Sequence, residues 1–381
     1  MKGAGIANVS RSQANTFLTM RLKRLELWWR RLWIRLLVGL MRRSSDERPD
    51  WASRRMRVLF LRHDRAGDMI LSTGVMRAIA RSHPTITLDV LASPANAGIL
   101  ASADYVHDVI VFDKRRLAAY VPTARRLRRA KYDAVIDCMV TAPSVTTLLL
   151  IAASGARHRV GIAGRGNDSA FTVLVPPDDR PRAHMVDLLG ALAPAFGATL
   201  DEPQRRPVLD ITAQERDRAE STWSTRTGPR VLINISAGTS ARFWPSDRYA
   251  AVMRHIRERD ASAQLLVISA PWEAERGREV AVAGDATYVP TATLRDMIAL
   301  VATSDFVFTP DTSVGHVASA FRRPAVAMYL RGKRDLWRLY DTPSESIEHS
   351  GETLADLPVE RVLGAVDRVW NAAMAAVDQR V

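Results

Sequence analysis

The stretch "RVLFLRHDRAGDMILSTG" (residues 57–74) decides the fold. "RVLFL" (57–61) is a short apolar run and reads as a buried strand. "MILSTGVMRAIARSHP" (69–84) reads as a helix ended by Pro84. The turn between them carries more than a turn needs. Arg62, His63, Asp64, Arg65 and Asp68 crowd into seven positions, with Gly67 just before Asp68. A strand-to-helix turn needs a cap and a glycine, so the surplus of ionisable groups points to a task beyond folding.

Outward from there, "ITLDVLAS" (86–93), "DVIVFD" (108–113) and "DAVIDCM" (133–139) read as strands with helical segments between. The uncharged run from Cys138 to Ala156 reads as a buried loop plus helix, since Pro143, Ser144 and three threonines interrupt it. A second series begins near residue 230 with "RVLINIS" (230–236), "AQLLVIS" (263–269), "DFVFTPD" (305–311) and "AVAMYL" (325–330). Helices are predicted over 246–259, opened by Ser246 or Asp247, and over "TSVGHVASAFRRP" (312–324). Alternating strands and helices argue for α/β domains with parallel sheets and helices on both faces. The two series meet near "LDEPQRRPVLD" (200–210). The chain thus divides into an extension over 1–54, a first Rossmann-like domain over 55–205 and a second over 206–357. A last helix over 358–378 is free to pack back on the first domain.

At 381 residues the chain is too long for one ordinary core, which agrees with two domains. Its one cysteine, Cys138, excludes an internal disulfide or a Cys-type zinc site. The nearest approach to a dinucleotide fingerprint, "GIAGRG" (161–166), has the wrong glycine spacing, and no strand is read directly before it. A nicotinamide enzyme is set aside on that ground. The net charge of +13 is unevenly placed: residues 1–55 hold thirteen basic and four acidic side chains, which accounts for nine of the thirteen. The body is therefore not basic enough to demand nucleic acid, and none is expected as a partner.

In the extension, Leu18, Leu22, Leu25, Trp29, Leu32, Leu36 and Leu40 recur every three or four residues, with arginines filling much of the rest. The uncharged run Leu36 to Met41 is far short of the roughly 20 apolar residues that span a bilayer. Arg30, Arg31 and Arg35 also break any signal-peptide core. A basic helix with an aromatic stripe is expected to lie on an anionic membrane surface through residues 16–43. The alternative is a helix docked on the body or on a second subunit.

Ligands of open parallel sheets sit beyond the carboxyl ends of the strands, and three polar stretches fall there. "PDTSVGH" (310–316) places Asp311, Thr312 and Ser313 where a strand becomes a helix, whose free amides and dipole favour phosphate. Gly315 permits close backbone approach, and His316 lies one turn in. A plain helix cap by Asp311 or Thr312 is the simpler account of that stretch. "SAGTSARFWP" (236–245) adds small residues, Gly238 and Thr239 among them, with the cationic Arg242. Two anion-binding features at equivalent sheet ends suit a nucleotide diphosphate. Asp68, on the other domain, would face that diphosphate and accept a proton from an attacking hydroxyl; otherwise it merely caps a helix starting near Met69.

The segments "RVLFLRHDRAGDMILSTGVMRAI", "INISAGTSARFWPSDRYAAV" and "FTPDTSVGHVASAFRRPAVAMY" together resemble the landmark segments of glycosyltransferase family 9, the ADP-heptose:lipopolysaccharide heptosyltransferases and their relatives. Weaker matches are "ARHRVGI" (156–162), "HMVDLLGALAPAFG" (184–197) and "SAPWEAERGREVA" (269–281). The resemblance implies a GT-B fold, with two Rossmann-like domains facing a central cleft, the first for the acceptor and the second for the donor. It implies metal-independent, inverting transfer with no cofactor, a nucleotide-diphosphate sugar such as ADP-heptose being the substrate. By the same resemblance Asp68 is the catalytic base, Arg242 takes the place of a phosphate-binding lysine, and Asp311, Thr312 and His316 are donor residues. The nucleoside-contacting glutamate falls on Glu273, or failing that on Glu275. Ile235-Ser236 replaces the usual Pro-Gly, and Gly74 follows Thr73 where a proline is usual.

On this reading Arg62, His63, Arg65 and Thr73 line the acceptor side, their charge suiting an acidic glycolipid or lipopolysaccharide core. His63 and Asp64 pairing with each other at the surface is the competing account. The expected place of work is the cytoplasmic face of the bacterial inner membrane, as a peripheral protein. A catalytically silent glycolipid-binding or scaffold protein is the second function considered.

Overall fold

A computed structural model describes residues 28–29, 31–41, 49–178, 180–223 and 228–378. The first half holds β1 (Met56–Arg62), β2 (Ile86–Ala92), β3 (Asp108–Val111), β4 (Ala134–Asp137), β5 (His158–Ile162) and β6 (Val173–Val175). The second holds β7 (Arg230–Asn234), β8 (Gln264–Ser269), β9 (Thr287–Pro290), β10 (Phe306–Pro310), β11 (Ala325–Leu330) and β12 (Ser344–His349). Each set forms one six-stranded parallel sheet, in the orders β3-β2-β1-β4-β5-β6 and β12-β11-β10-β7-β8-β9. Read from the same side, the two orders are identical. Val58 to Leu61 of β1 are fully buried on both faces, as covered parallel sheets require.

The helices are α1 (residues 31–40), α2 (Ala66–Ser82), α3 (Tyr120–Ala130), α4 (Val145–Ser154), α5 (Met185–Gly190), α6 (Glu202–Arg205), α7 (Ala213–Thr222), α8 (Ser246–Arg259), α9 (Ala274–Ala283), α10 (Leu294–Thr303), α11 (Ser313–Ala320), α12 (Arg334–Trp337) and α13 (Val359–Asp378). Helices α2 and α11 pack together across the two halves. One apolar cluster runs with them, from Phe60 and Ile70 to Val314 and Val317. The linker is held to α2 by Thr73, whose hydroxyl donates to the Ile70 carbonyl (2.6 Å) and accepts from the Val208 amide (2.8 Å). A Cβ on Gly74 would stand 2.5 Å from the Arg205 carbonyl oxygen. That close pass of the linker is the physical reason a glycine follows Thr73.

Several expectations need correction. Helix α2 begins at Ala66, so Asp68 lies inside its first turn and does not cap it. Helix α8 does open at Ser246, as expected, with Pro245 ahead of it. Strand β5 runs directly into "GIAGRG", where Gly164 and Gly166 adopt φ of 79° and 80°. Helix α13 packs on the second sheet, not back on the first domain. Val362, Val366 and Trp370 join Ile256 and Phe306 in one core, with the Trp370 and Phe306 rings 5.5 Å apart.

Helix α1 has two apolar faces. Ile34, Leu37, Val38 and Met41 pack against the first-domain cluster of Leu59, Phe112, Leu127 and Leu148. Trp33, Leu36 and Leu40, with Trp28 and Trp29 before them, remain largely exposed. Among the described residues, the stripe through Trp29, Leu36 and Leu40 is thus turned outward and the docked face is a different one. Most of the rest of the 16–43 stretch, Leu18, Leu22 and Leu25 included, lies outside the described residues. No described helix is long and apolar enough to cross a membrane.

Candidate active site

The strand order reverses between β1 and β4 in one sheet and between β7 and β10 in the other, which is where open parallel sheets form ligand crevices. The two crevices face each other. Their strand ends enclose a cavity of about 600 Å³ lined by Arg65, Gly67, Asp68, Gly238, Arg242, Trp272, Asp311, Thr312, Ser313, His316, Lys333 and Trp337. Asp68 is thereby on the same cavity as the small-residue loop after β7 and the first turn of α11.

On the second-domain wall, Asn234 at the end of β7 donates to the hydroxyls of Thr309 (2.9 Å) and Thr312 (3.1 Å), stitching the two central strand ends together. Thr312 also caps α11 by accepting from the Val314 amide (3.4 Å). Cap and ligand-site accounts therefore describe the same residue. Helix α11 has no acid in its first turn, so its positive end is open to an anion. Arg242 pairs with the Asp311 carboxylate at 3.0 Å and donates to the Asp311 carbonyl at 2.7 Å. Burial pushes the Asp311 carboxyl above its usual range, and Arg242 works against that shift.

On the first-domain wall, Asp68 is buried and accepts from Arg65 Nε at 2.9 Å. The Arg65 guanidinium in turn lies over the ring of Trp337, 5.5 Å from its centroid, so this contact bridges the halves. A Cβ on Gly67 would stand 3.0 Å from His316 Cδ2, which shows how closely the α2 turn approaches the donor wall. His316 is buried, and burial pulls its imidazole down to about 4, so the ring is neutral at pH 7.

A second cavity, also about 600 Å³, adjoins the first-domain turn. It is lined by His63, Asp64, Arg65, Ser93, Pro94, Phe112, Asp113, Lys114 and Arg115. Arg65 and Ala66 line both cavities.

Of the residues singled out from sequence, Asp68, Arg65, Gly238, Arg242, Asp311, Thr312, Ser313 and His316 share the central cavity. Thr239 is not among its lining residues, and Glu273 is buried beside it in the short turn Pro271–Glu273. Neither Glu273 oxygen has a hydrogen-bond partner, and Arg276 is 3.9 Å away. Arg62 is buried and engaged with Ser72, Asp64 and the Cys138 carbonyl, so it braces the turn and is not part of a rim. Thr73 is buried under the linker. His63 and Asp64 do not pair with each other: His63 meets the Thr147 hydroxyl at 3.2 Å, and Asp64 pairs with Arg62 at 3.1 Å. Lys333, Trp272 and Trp337 were not foreseen. Lys333 lies just past the carboxyl end of β11, so the strand-end rule applied to "RGKRD" (331–335) would have found it.

A family model described as "Glycosyltransferase family 9 (heptosyltransferase)" matches residues 121–359. The match begins after Asp68, whose placement rests on the geometry above. The chain is 24% identical over 293 residues to lipopolysaccharide heptosyltransferase 2 of Escherichia coli K12, covering 72% of this chain and 82% of that one. The glycosyltransferase family 9 structure from Veillonella parvula superposes with a TM-score of 0.73 at 17% identity, over 85% of this chain and 99% of that one. Escherichia coli heptosyltransferase WaaC with ADP-2-deoxy-2-fluoro heptose superposes with a TM-score of 0.67 at 17% identity, over 82% and 99%. The fold shared with these structures is GT-B.

Proposed function

The chain belongs to glycosyltransferase family 9, and from that premise we propose that it moves a heptose or related sugar from an ADP-linked donor to an anionic glycolipid acceptor of the lipopolysaccharide-core type. The observation that carries this reading is that Asp68 and the anion cradle of the second domain line one cavity. The first domain takes the acceptor and the second the donor.

The diphosphate lies against the first turn of α11, with Arg242 and Lys333 as counter-charges and neutral His316 as a hydrogen-bonding group. Its nucleoside reaches toward Glu273, whose unbonded oxygens suit sugar hydroxyls. Asp68 accepts the proton of the acceptor hydroxyl as that oxygen attacks the anomeric carbon. The bond to the β-phosphate breaks on the opposite face, so configuration inverts. Charge gathering on the leaving diphosphate meets fixed cations and helix amides, which stabilise it without reorganising at the moment of reaction.

The outward face of α1 supports docking on an anionic membrane at the cytoplasmic surface, because exposed Arg31 and Arg35 flank its tryptophans. Replacing Trp28, Trp29 and Trp33 together by alanine should release the protein from phosphatidylglycerol-containing vesicles in a sedimentation assay. Unchanged sedimentation would remove α1 from that role. For the transfer reading, the test is a thermal-shift panel of nucleoside diphosphates and nucleotide sugars, followed by ADP release with acceptor present. ADP and ADP-heptose should raise the melting temperature, since ligands that bind only the folded state stabilise it. No shift and no turnover with any nucleotide sugar would favour the silent, glycolipid-binding alternative.

A further inference from the structure

Among the described residues lining the two cavities, Arg65 is the charged one common to both, and its present partner is Asp68 itself. Its side chain is 72% exposed yet held at both ends of the cleft, by the Asp68 carboxylate at 2.9 Å and by the Trp337 ring at 5.5 Å. It is close enough to Asp311 and His316 to act on both electrostatically. The second cavity, which Arg65 also lines, offers Lys114, Arg115 and Ser93 beside the carboxylates of Asp64 and Asp113. Asp64 is already paired with Arg62, which leaves Lys114 and Arg115 to meet a phosphate or carboxylate. A carboxylate oxygen already accepting a charge-assisted bond from a guanidinium has that lone pair occupied, so an incoming hydroxyl must displace the guanidinium before it can donate there.

We propose that Arg65 is a positioning residue that occupies Asp68 until an anionic group of the acceptor enters the second cavity and draws the guanidinium away. This rests on the reading of Asp68 as the base. The arrangement couples proton acceptance to the presence of the acceptor. Without acceptor, water near the anomeric carbon finds Asp68 engaged, and the donor survives. With acceptor, its anionic group takes the guanidinium fork, and the freed carboxylate faces the attacking hydroxyl. Trp337 keeps the guanidinium within reach of both partners by holding its planar face.

The side reaction that this device suppresses supplies the assay. In hydrolysis a water oxygen attacks the anomeric carbon, one water proton passes to Asp68, and the bond to the β-phosphate breaks with its electron pair leaving on ADP. ADP release from ADP-heptose without acceptor is measured for the wild type, Arg65→Ala, Arg65→Lys and Trp337→Leu. Arg65→Ala should hydrolyse donor about tenfold faster than wild type while its transfer to acceptor slows through a raised acceptor KM. Arg65→Lys keeps the charge without the fork and should fall between the two. Trp337→Leu should move hydrolysis in the same direction by less. Millimolar inorganic phosphate should stimulate hydrolysis by the wild type and leave Arg65→Ala unaffected.

A merely structural role for Arg65 would lower both reactions together. Hydrolysis by Arg65→Ala equal to or below wild type, with acceptor KM unchanged, overturns the proposal. If Asp68→Asn retains full transfer, the base reading itself has failed. If Asp68→Asn is inactive but Arg65→Ala hydrolyses no faster, the gate alone is wrong.

Discussion

The two sheets share one strand order, yet their central helices begin differently. Helix α2, after β1, carries Asp68 in its first turn and has no side-chain cap. Helix α11, after β10, has a threonine cap, no acid in its first turn, and Arg242 and Lys333 on the same cavity. A carboxylate in the first turn turns anions away from that end and places a proton acceptor there, whereas a helix end without an acid in its first turn favours a diphosphate. Topology sets where a ligand goes. On the proposed function, one or two side chains in the first helical turn set which partner each end takes.

The widest separation between the two ends should come from Asp68→Asn. Loss of a general base costs about 10²- to 10⁴-fold in turnover, so transfer should fall by that order while the folded state keeps its melting temperature. A variant with undiminished turnover would make the two helix ends equivalent. Next, Arg242→Ala removes the counter-charge of the second end and leaves Asp311 buried without its ion pair. Hydrogen bonds to charged groups contribute about 1.5–3 kcal/mol, so ADP should bind about 10- to 150-fold more weakly, with Arg242→Lys recovering part of the loss. Equal affinity in Arg242→Ala by fluorescence or calorimetric titration would take Arg242 out of the cradle.

A smaller effect concerns how the halves are held. Gly74→Ala forces a Cβ against the Arg205 carbonyl and should destabilise the chain by about 1–3 kcal/mol, as overpacking does. A denaturation midpoint equal to wild type would mean that the linker gives way freely. The mildest test is pH. Burial pulls His63 and His316 down to about 4 and His184 to about 3, against about 6.5 in the unfolded chain. As pH falls below about 6.5 the unfolded chain binds protons at these positions that the folded chain refuses, so the three histidines should lower stability between roughly pH 6.5 and 4. Asp137, pushed up to about 6 by burial, with Asp64 and Asp311 also raised, takes up protons in the folded state and offsets part of that decline below about pH 6. Urea midpoints at pH 7.5, 6 and 5 read this directly, and His316→Gln should flatten the slope in part.

Much of this was legible in the residues. Apolar runs such as "RVLFL" and "FVFTP" announce strands buried on both faces, and polar groups at their carboxyl ends mark the crevice. Strands β5, β6, β9 and β12 were not foreseen. Three of them, β6, β9 and β12, are edge strands, and residues such as Thr287, Leu174 and Ser344 are exposed there, so the apolar signal is diluted. Strand β5 lies one strand in and is fully buried, but His158, Arg159 and Gly161 break its apolar run. The acceptor rim misled for a related reason. A string of charges reads as solvated surface, but Arg62 and Asp64 pair with each other inside the turn. Arg65 alone of the basic pair reaches the cleft, and the role of Trp337 depends on a contact across the domains that no local pattern carries.

The account turns on a division of labour, and titration of ADP into wild type, Asp68→Asn and Arg242→Ala by isothermal calorimetry reads that division most directly. Affinity retained in Asp68→Asn within about twofold and lost in Arg242→Ala by at least about tenfold is the predicted result. Loss of ADP binding in Asp68→Asn as severe as in Arg242→Ala, or full binding in both, would contradict it.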